Sequence, residues 1–89
     1  MRVVARPVDM LAWFDKDGIP NPLRFRFSDE DEAESNLVIK VDKIINRDKE
    51  KLAGNEMILF RCQSLIDGVE KVYELKFEIK NCRWIIYKI

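Results

Sequence analysis

The sequence predicts an all-β fold, and three observations carry that prediction. Tyr73, Leu75, Phe77 and Ile79 fall on one face of a stretch that places Glu74, Lys76, Glu78 and Lys80 on the other. A period of two in aromatic and branched residues suits a half-buried strand. Leu23-Arg24-Phe25-Arg26-Phe27 repeats the pattern. Asp17-Gly18 and Asp67-Gly68 stand between apolar runs, where glycine gives a hairpin the positive φ it needs. The expected architecture is a five- to six-stranded antiparallel meander closing into a small SH3-like or OB-like barrel. At 89 residues the chain, 1–89, reads as one small domain, long enough for a thin core.

Val3–Arg6 reads as a short edge segment, cut off by Pro7, which cannot donate to a ladder. Val8–Phe14 is the first full strand, with Val8, Met10, Ala12 and Phe14 sharing a face. Asp15-Lys16-Asp17-Gly18 turns the chain. Its acidic spacing resembles the start of a calcium loop, but Gly18 comes at the fourth position rather than the sixth, and Arg26 stands where a glutamate is needed. Ile19-Pro20-Asn21-Pro22 is extended, because residues before proline avoid helical angles. Leu23–Phe27 is the second strand.

Asp29-Glu30-Asp31-Glu32 and Glu34 form an acidic run. It reads as a solvated loop tip, the ordinary fate of clustered carboxylates. Leu37–Ile45 is the third strand; the adjacent Ile44 and Ile45 imply either a bulge or cover on both faces there. The charged stretch 46–55 reads as a loop with at most one helical turn near 47–54, ended by Gly54 as a C′ glycine. Met57–Leu65 is apolar on both faces, as in a central strand. Val69–Lys80 and Arg83–Ile89 follow, separated by a turn at Asn81-Cys82.

Composition excludes several kinds of chemistry. There is no histidine, which removes the commonest general base and metal ligand and every histidine-activated nucleophile within the chain. The three glycines sit at turns and form no phosphate loop. No catalytic residue, cofactor site, metal site or small-molecule substrate is expected, and the chain reads as non-enzymatic. No apolar run nears the ~20 residues that span a bilayer, and Met1–Pro7 lacks the apolar core of a signal peptide. Two cysteines without metal spacing fit a cytoplasmic protein with reduced thiols, Cys62 filling the core.

Sixteen basic and sixteen acidic residues balance, but unevenly: residues 1–36 carry −3 and residues 37–89 carry +3. A neutral chain exerts no global pull on nucleic acid or membrane, so any such attraction has to be a local patch. The expected function is binding. The leading reading is a protein-interaction or self-associating module, with Trp13, Ile58, Ile85 and Tyr87 as candidates for an outer apolar interface. The alternative is a nucleic-acid module that combines a basic strand face with stacking rings. Its candidates are Arg24, Arg26, Lys40, Arg47, Arg61 and Lys76.

Asp-Met-Leu-Ala-Trp-Phe-Asp, Pro-Leu-Arg-Phe-Arg-Phe, Lys-Val-Asp-Lys-Ile, Lys-Leu-Ala-Gly-Asn, Phe-Arg-Cys-Gln-Ser and Tyr-Glu-Leu-Lys-Phe occur in that order between Val8 and Ile89. In this texture the chain resembles a family of small uncharacterised bacterial cytosolic proteins. The resemblance implies an accessory to a larger system, nucleic-acid handling being one such kind. It carries no site residue over.

Overall fold

The computed structural model describes residues 1–28 and 36–89. Seven strands follow one another: β1 (Val3–Phe14), β2 (Pro20–Ser28), β3 (Asn36–Lys40), β4 (Lys43–Leu52), β5 (Asn55–Ile66), β6 (Val69–Glu78) and β7 (Arg83–Lys88). They make a single antiparallel sheet in the order β3-β2-β1-β7-β6-β5-β4, curled into a half-barrel. Consecutive strands pair everywhere except at β3 and β4. The first and last strands close on each other, and the break in the ring falls in the middle of the chain.

β1 is the hinge of the curl. Val3 to Val8 pair with β7, and Asp9 to Phe14 pair with β2. The expected short edge segment Val3–Arg6 is laddered on the β7 side only, and it runs on through Pro7 into the rest of β1 instead of ending there. Pro7 is tolerated because its half of β1 has a ladder on the β7 side only, so the missing N–H has an open side to occupy. A bulge between Val3 and Arg6 sets Ala5 at φ +45°.

Two of the turns are two-residue hairpins with both central residues at positive φ. Asp67-Gly68 is at +51° and +78°, and Ala53-Gly54 at +51° and +82°. This is the type I′ geometry that matches strand twist. The second was not expected, since 46–55 reads as a charged loop with a helix end. It is instead the second half of β4 and a hairpin, and no helix occurs among the described residues. Alternating charges do not prevent a strand when that strand is an edge facing water. The expected third strand is correspondingly two, β3 and β4, cornered at Val41-Asp42. Asp15 stiffens the first turn by accepting from the N–H groups of Asp17 and Ile19, each at 2.9 Å. β6 ends at Glu78, leaving Ile79 in a turn and half-exposed rather than on the inner face. The acidic run, Asp29-Glu30-Asp31-Glu32 and Glu34, lies outside the described residues.

The core lines the concave face. Cross-strand rows set Phe60 beside Leu75 and Ile86, and Ile58 beside Phe77 and Trp84. Phe60, Trp84 and Phe77 stack at centroid distances of 5.3 and 4.9 Å. Phe25 of β2 meets Tyr73 of β6 across the curl at 5.6 Å. Curling thus gives one sheet the two-layer packing that a small domain needs.

Polar bolts hold the seam where β3 and β4 part. Buried Ser64 of β5 donates to the carbonyl of Lys40 at 2.6 Å and shares a 2.6 Å bond with the Tyr73 hydroxyl. Asp42 accepts from the Leu65 N–H at 2.9 Å, prolonging by a side chain the β4–β5 ladder whose last backbone pair is Lys43 with Gln63. Farther along, Arg47 of β4 lies 5.6 Å above the Phe60 ring and donates to Asn21 Oδ1 of β2. Among the described residues no helix is long and apolar enough to cross a membrane.

Candidate functional site

A half-barrel has two edge strands, and these two differ. β4 has ten residues, a bulge between Ile44 and Asn46, and the run Arg47-Asp48-Lys49-Glu50-Lys51. Bulges and lysines are the usual devices that keep an edge from pairing with another chain. β3 is Asn36-Leu37-Val38-Ile39-Lys40, with a single charge at its corner end. Leu37 and Val38 are exposed there, Val38 by 56%.

The outer surface beside β3 continues this character. Register sets Leu11, Arg24 and Lys40 in one row across β1, β2 and β3, and Asp9, Arg26 and Val38 in the next. Leu11 is 58% exposed. A shallow groove of about 290 Å³ is lined by Asp9, Leu11, Arg24, Phe25, Arg26 and Val38. Asp9 holds Arg26 at 2.6 Å. Neither the Arg24 nor the Lys40 side chain has an ionic partner among the described residues. Trp13 and Leu23 are exposed at the far end of the same strands.

The six basic candidates do not share one face. Arg24, Arg26 and Lys40 lie together on β2 and β3. Arg61 is bound to Glu74 at 3.0 Å. Lys76 is only 9% exposed, held 3.1 Å from Glu50 and 3.8 Å over the Tyr87 ring. Arg47 serves the seam. Desolvated charges survive when paired and hydrogen-bonded, which explains why Glu74 and Lys76 are buried on the face that alternation assigns to solvent.

The four apolar candidates also separate. Trp13 is exposed. Ile85 and Tyr87 are half-buried on the outer face, and Tyr87 is covered by Lys76 and Lys88. Ile58 is not on an outer surface: its register with Phe77 turns it inward, where it packs on the core.

Leu11, Val38 and the β3 edge were not among the expected site residues. Reading 37–45 as one strand hides an edge that exists only because the chain corners at Asp42. Adjacent Ile44 and Ile45 mark the irregularity, since strict alternation fails there.

The described residues hold no cluster of three or more metal-ligating side chains. The buried thiol of Cys62 is pushed up to about 12 by burial, opposed by the Arg47 charge. A thiol so raised is not a nucleophile at neutral pH. Burial likewise pushes the Tyr73 phenol up. These hydroxyl and thiol groups are core structure. Comparison with protein-family models, curated proteins and solved structures gives no match.

Proposed function

We propose that the chain is a non-enzymatic, cytoplasmic protein-binding module that docks its partner along the β3 edge and the adjoining outer face of β1 and β2. The observation that carries this reading is the contrast between the edges: β4 is bulged and charged, whereas β3 offers exposed Leu37 and Val38 beside a shallow groove and beside Arg24 and Lys40, which have no ionic partner among the described residues. Edge addition draws affinity from backbone hydrogen bonds and specificity from side-chain pockets. The nucleic-acid reading has less support. Three of its six basic residues are committed to Glu74, Glu50 and Asn21, and Tyr87 lacks a free face for stacking.

Photo-crosslinking from inside cells tests it. A benzophenone side chain at position 38 should yield discrete adducts that protease removes and nuclease leaves intact, while the same group at position 49 on β4 yields none. Nuclease-sensitive adducts at 38, or equal adducts at both positions, would overturn the reading.

A further inference from the structure

The backbone of β3 specifies what the edge can accept, and this inference rests on the protein-binding reading above. The Val41 N–H donates to the Leu23 carbonyl at 2.8 Å. Antiparallel ladders alternate between residues that bond the neighbour and residues that face away from it. Leu23–Val41 is a bonded pair, so the continuing register Phe25–Ile39 and Phe27–Leu37 is bonded as well. The N–H and C=O groups of Val38 and Lys40 therefore point away from β2. The Lys40 carbonyl confirms this direction, since Ser64 of β5 donates to it at 2.6 Å. What β3 has to offer a new strand is both groups of Asn36 and Val38 and the N–H of Lys40.

Side chains add the chemistry. On the outer face Lys40 stands beside Arg24, and Val38, two residues back, stands beside Arg26, which Asp9 already neutralises. The inner neighbour Ile39 is buried. We infer that β3 receives an extended segment of another protein, with an acidic residue opposite Lys40 and apolar residues opposite Ile39 and Val38. In antiparallel addition the order along that segment is acidic, apolar, apolar.

Charge argues against a second copy as occupant. Symmetric pairing about Val38 sets each Lys40 opposite Asn36. It brings no carboxylate of the described residues to Arg24 or Lys40. A five-residue ladder also buries much less than the ~800 Å² per partner of a standard stable interface. A segment that brings its own carboxylate satisfies both cations and needs only modest area for a transient complex.

A labelled peptide with the core Glu-Val-Val and its Lys-Val-Val counterpart provide the test, by fluorescence anisotropy with backbone amide shifts on the full chain. The acidic peptide should bind at least about tenfold more tightly, a margin expected of a well-placed charge pair. The double substitution Arg24→Glu with Lys40→Glu should reverse the preference, and the amide shifts should centre on Val38. Equal affinities, or shifts centred on β4, would overturn the inference. If the acidic peptide fails to bind while position 38 still crosslinks to protein, the assigned chemistry is wrong and the module reading survives. If both fail, both readings fall.

Discussion

The two edges of this sheet solve the same problem in opposite ways. β4 carries ten residues of unpaired ladder and defends them with Asp48, Lys49, Glu50, Lys51 and a bulge. β3 carries five residues, defends them with little beyond their shortness, and sets apolar Val38 at their centre. The difference shows that an edge need not be guarded chemically when its length limits the bonds it can form. A short edge can then remain open for a chosen partner, while a long one cannot.

The largest expected effect comes from cutting the seam between the edges. Ser64→Ala takes the shared hydrogen-bond partner from the buried Tyr73 hydroxyl and from the Lys40 carbonyl. Leaving the Tyr73 hydroxyl unpaired in the core should cost about 1–3 kcal/mol, read as a shift in urea midpoint. A loss under about 0.5 kcal/mol, the scale of an ordinary surface change, would mean that the corner is not what holds β3 to β5.

Next comes the contrast itself. Val38→Lys should weaken partner binding by about tenfold or more, since it replaces the apolar contact at the centre of the edge with a charge that pairing would have to desolvate. Stability should change by less than about 0.5 kcal/mol at so exposed a position. Conversely, Lys49→Val with Lys51→Val removes the guards from β4 and should make the protein self-associate in concentration-dependent light scattering. A monodisperse double variant would show that the bulge alone protects that edge.

Smaller effects sharpen the comparison. Ala53 holds φ +51° at the first position of a type I′ turn, where asparagine is preferred. Ala53→Asn should raise stability by up to about 1 kcal/mol. The smallest effect is in pH dependence. The Asn81 and Asn55 amides hydrogen-bond to Glu78 and hold its carboxyl below the usual glutamate range. A depressed carboxyl stabilises the fold above its unfolded value, and the contribution disappears as pH falls through the folded one. Glu78→Gln should therefore flatten the acid limb of a stability-versus-pH curve and leave the neutral region nearly unchanged.

Much of the fold is legible in the sequence where one face is buried and the other is wet. Tyr73, Leu75 and Phe77 alternate with Glu74, Lys76 and Glu78; the structure buries the first three in the core, while Glu74 and Lys76 are covered on the outer face by their ion pairs, which alternation does not reveal. The Asp-Gly turns are legible because only a few residue types tolerate positive φ. The half-barrel's break is not legible, because it depends on Val41-Asp42 failing to continue a strand, a decision made by Ser64 twenty-two residues away. β4 was missed for a related reason: an edge strand with charges on both faces lacks the alternation that marks a half-buried one. The outer groove follows from both omissions. Leu11 and Val38 become neighbours only once β3 is an edge and β1 is its second neighbour in the sheet.

Amide hydrogen exchange at Val38, in the free protein and with the Glu-Val-Val peptide, tests the central claim most directly. The account predicts a Val38 N–H that exchanges fast in the free protein, while Ile39 and Leu37, bonded to β2, exchange slowly. Saturating peptide should slow Val38 by about tenfold or more and leave the β4 amides unchanged. A Val38 N–H already slow in the free protein, or one the peptide does not slow, would contradict an open and selective β3 edge.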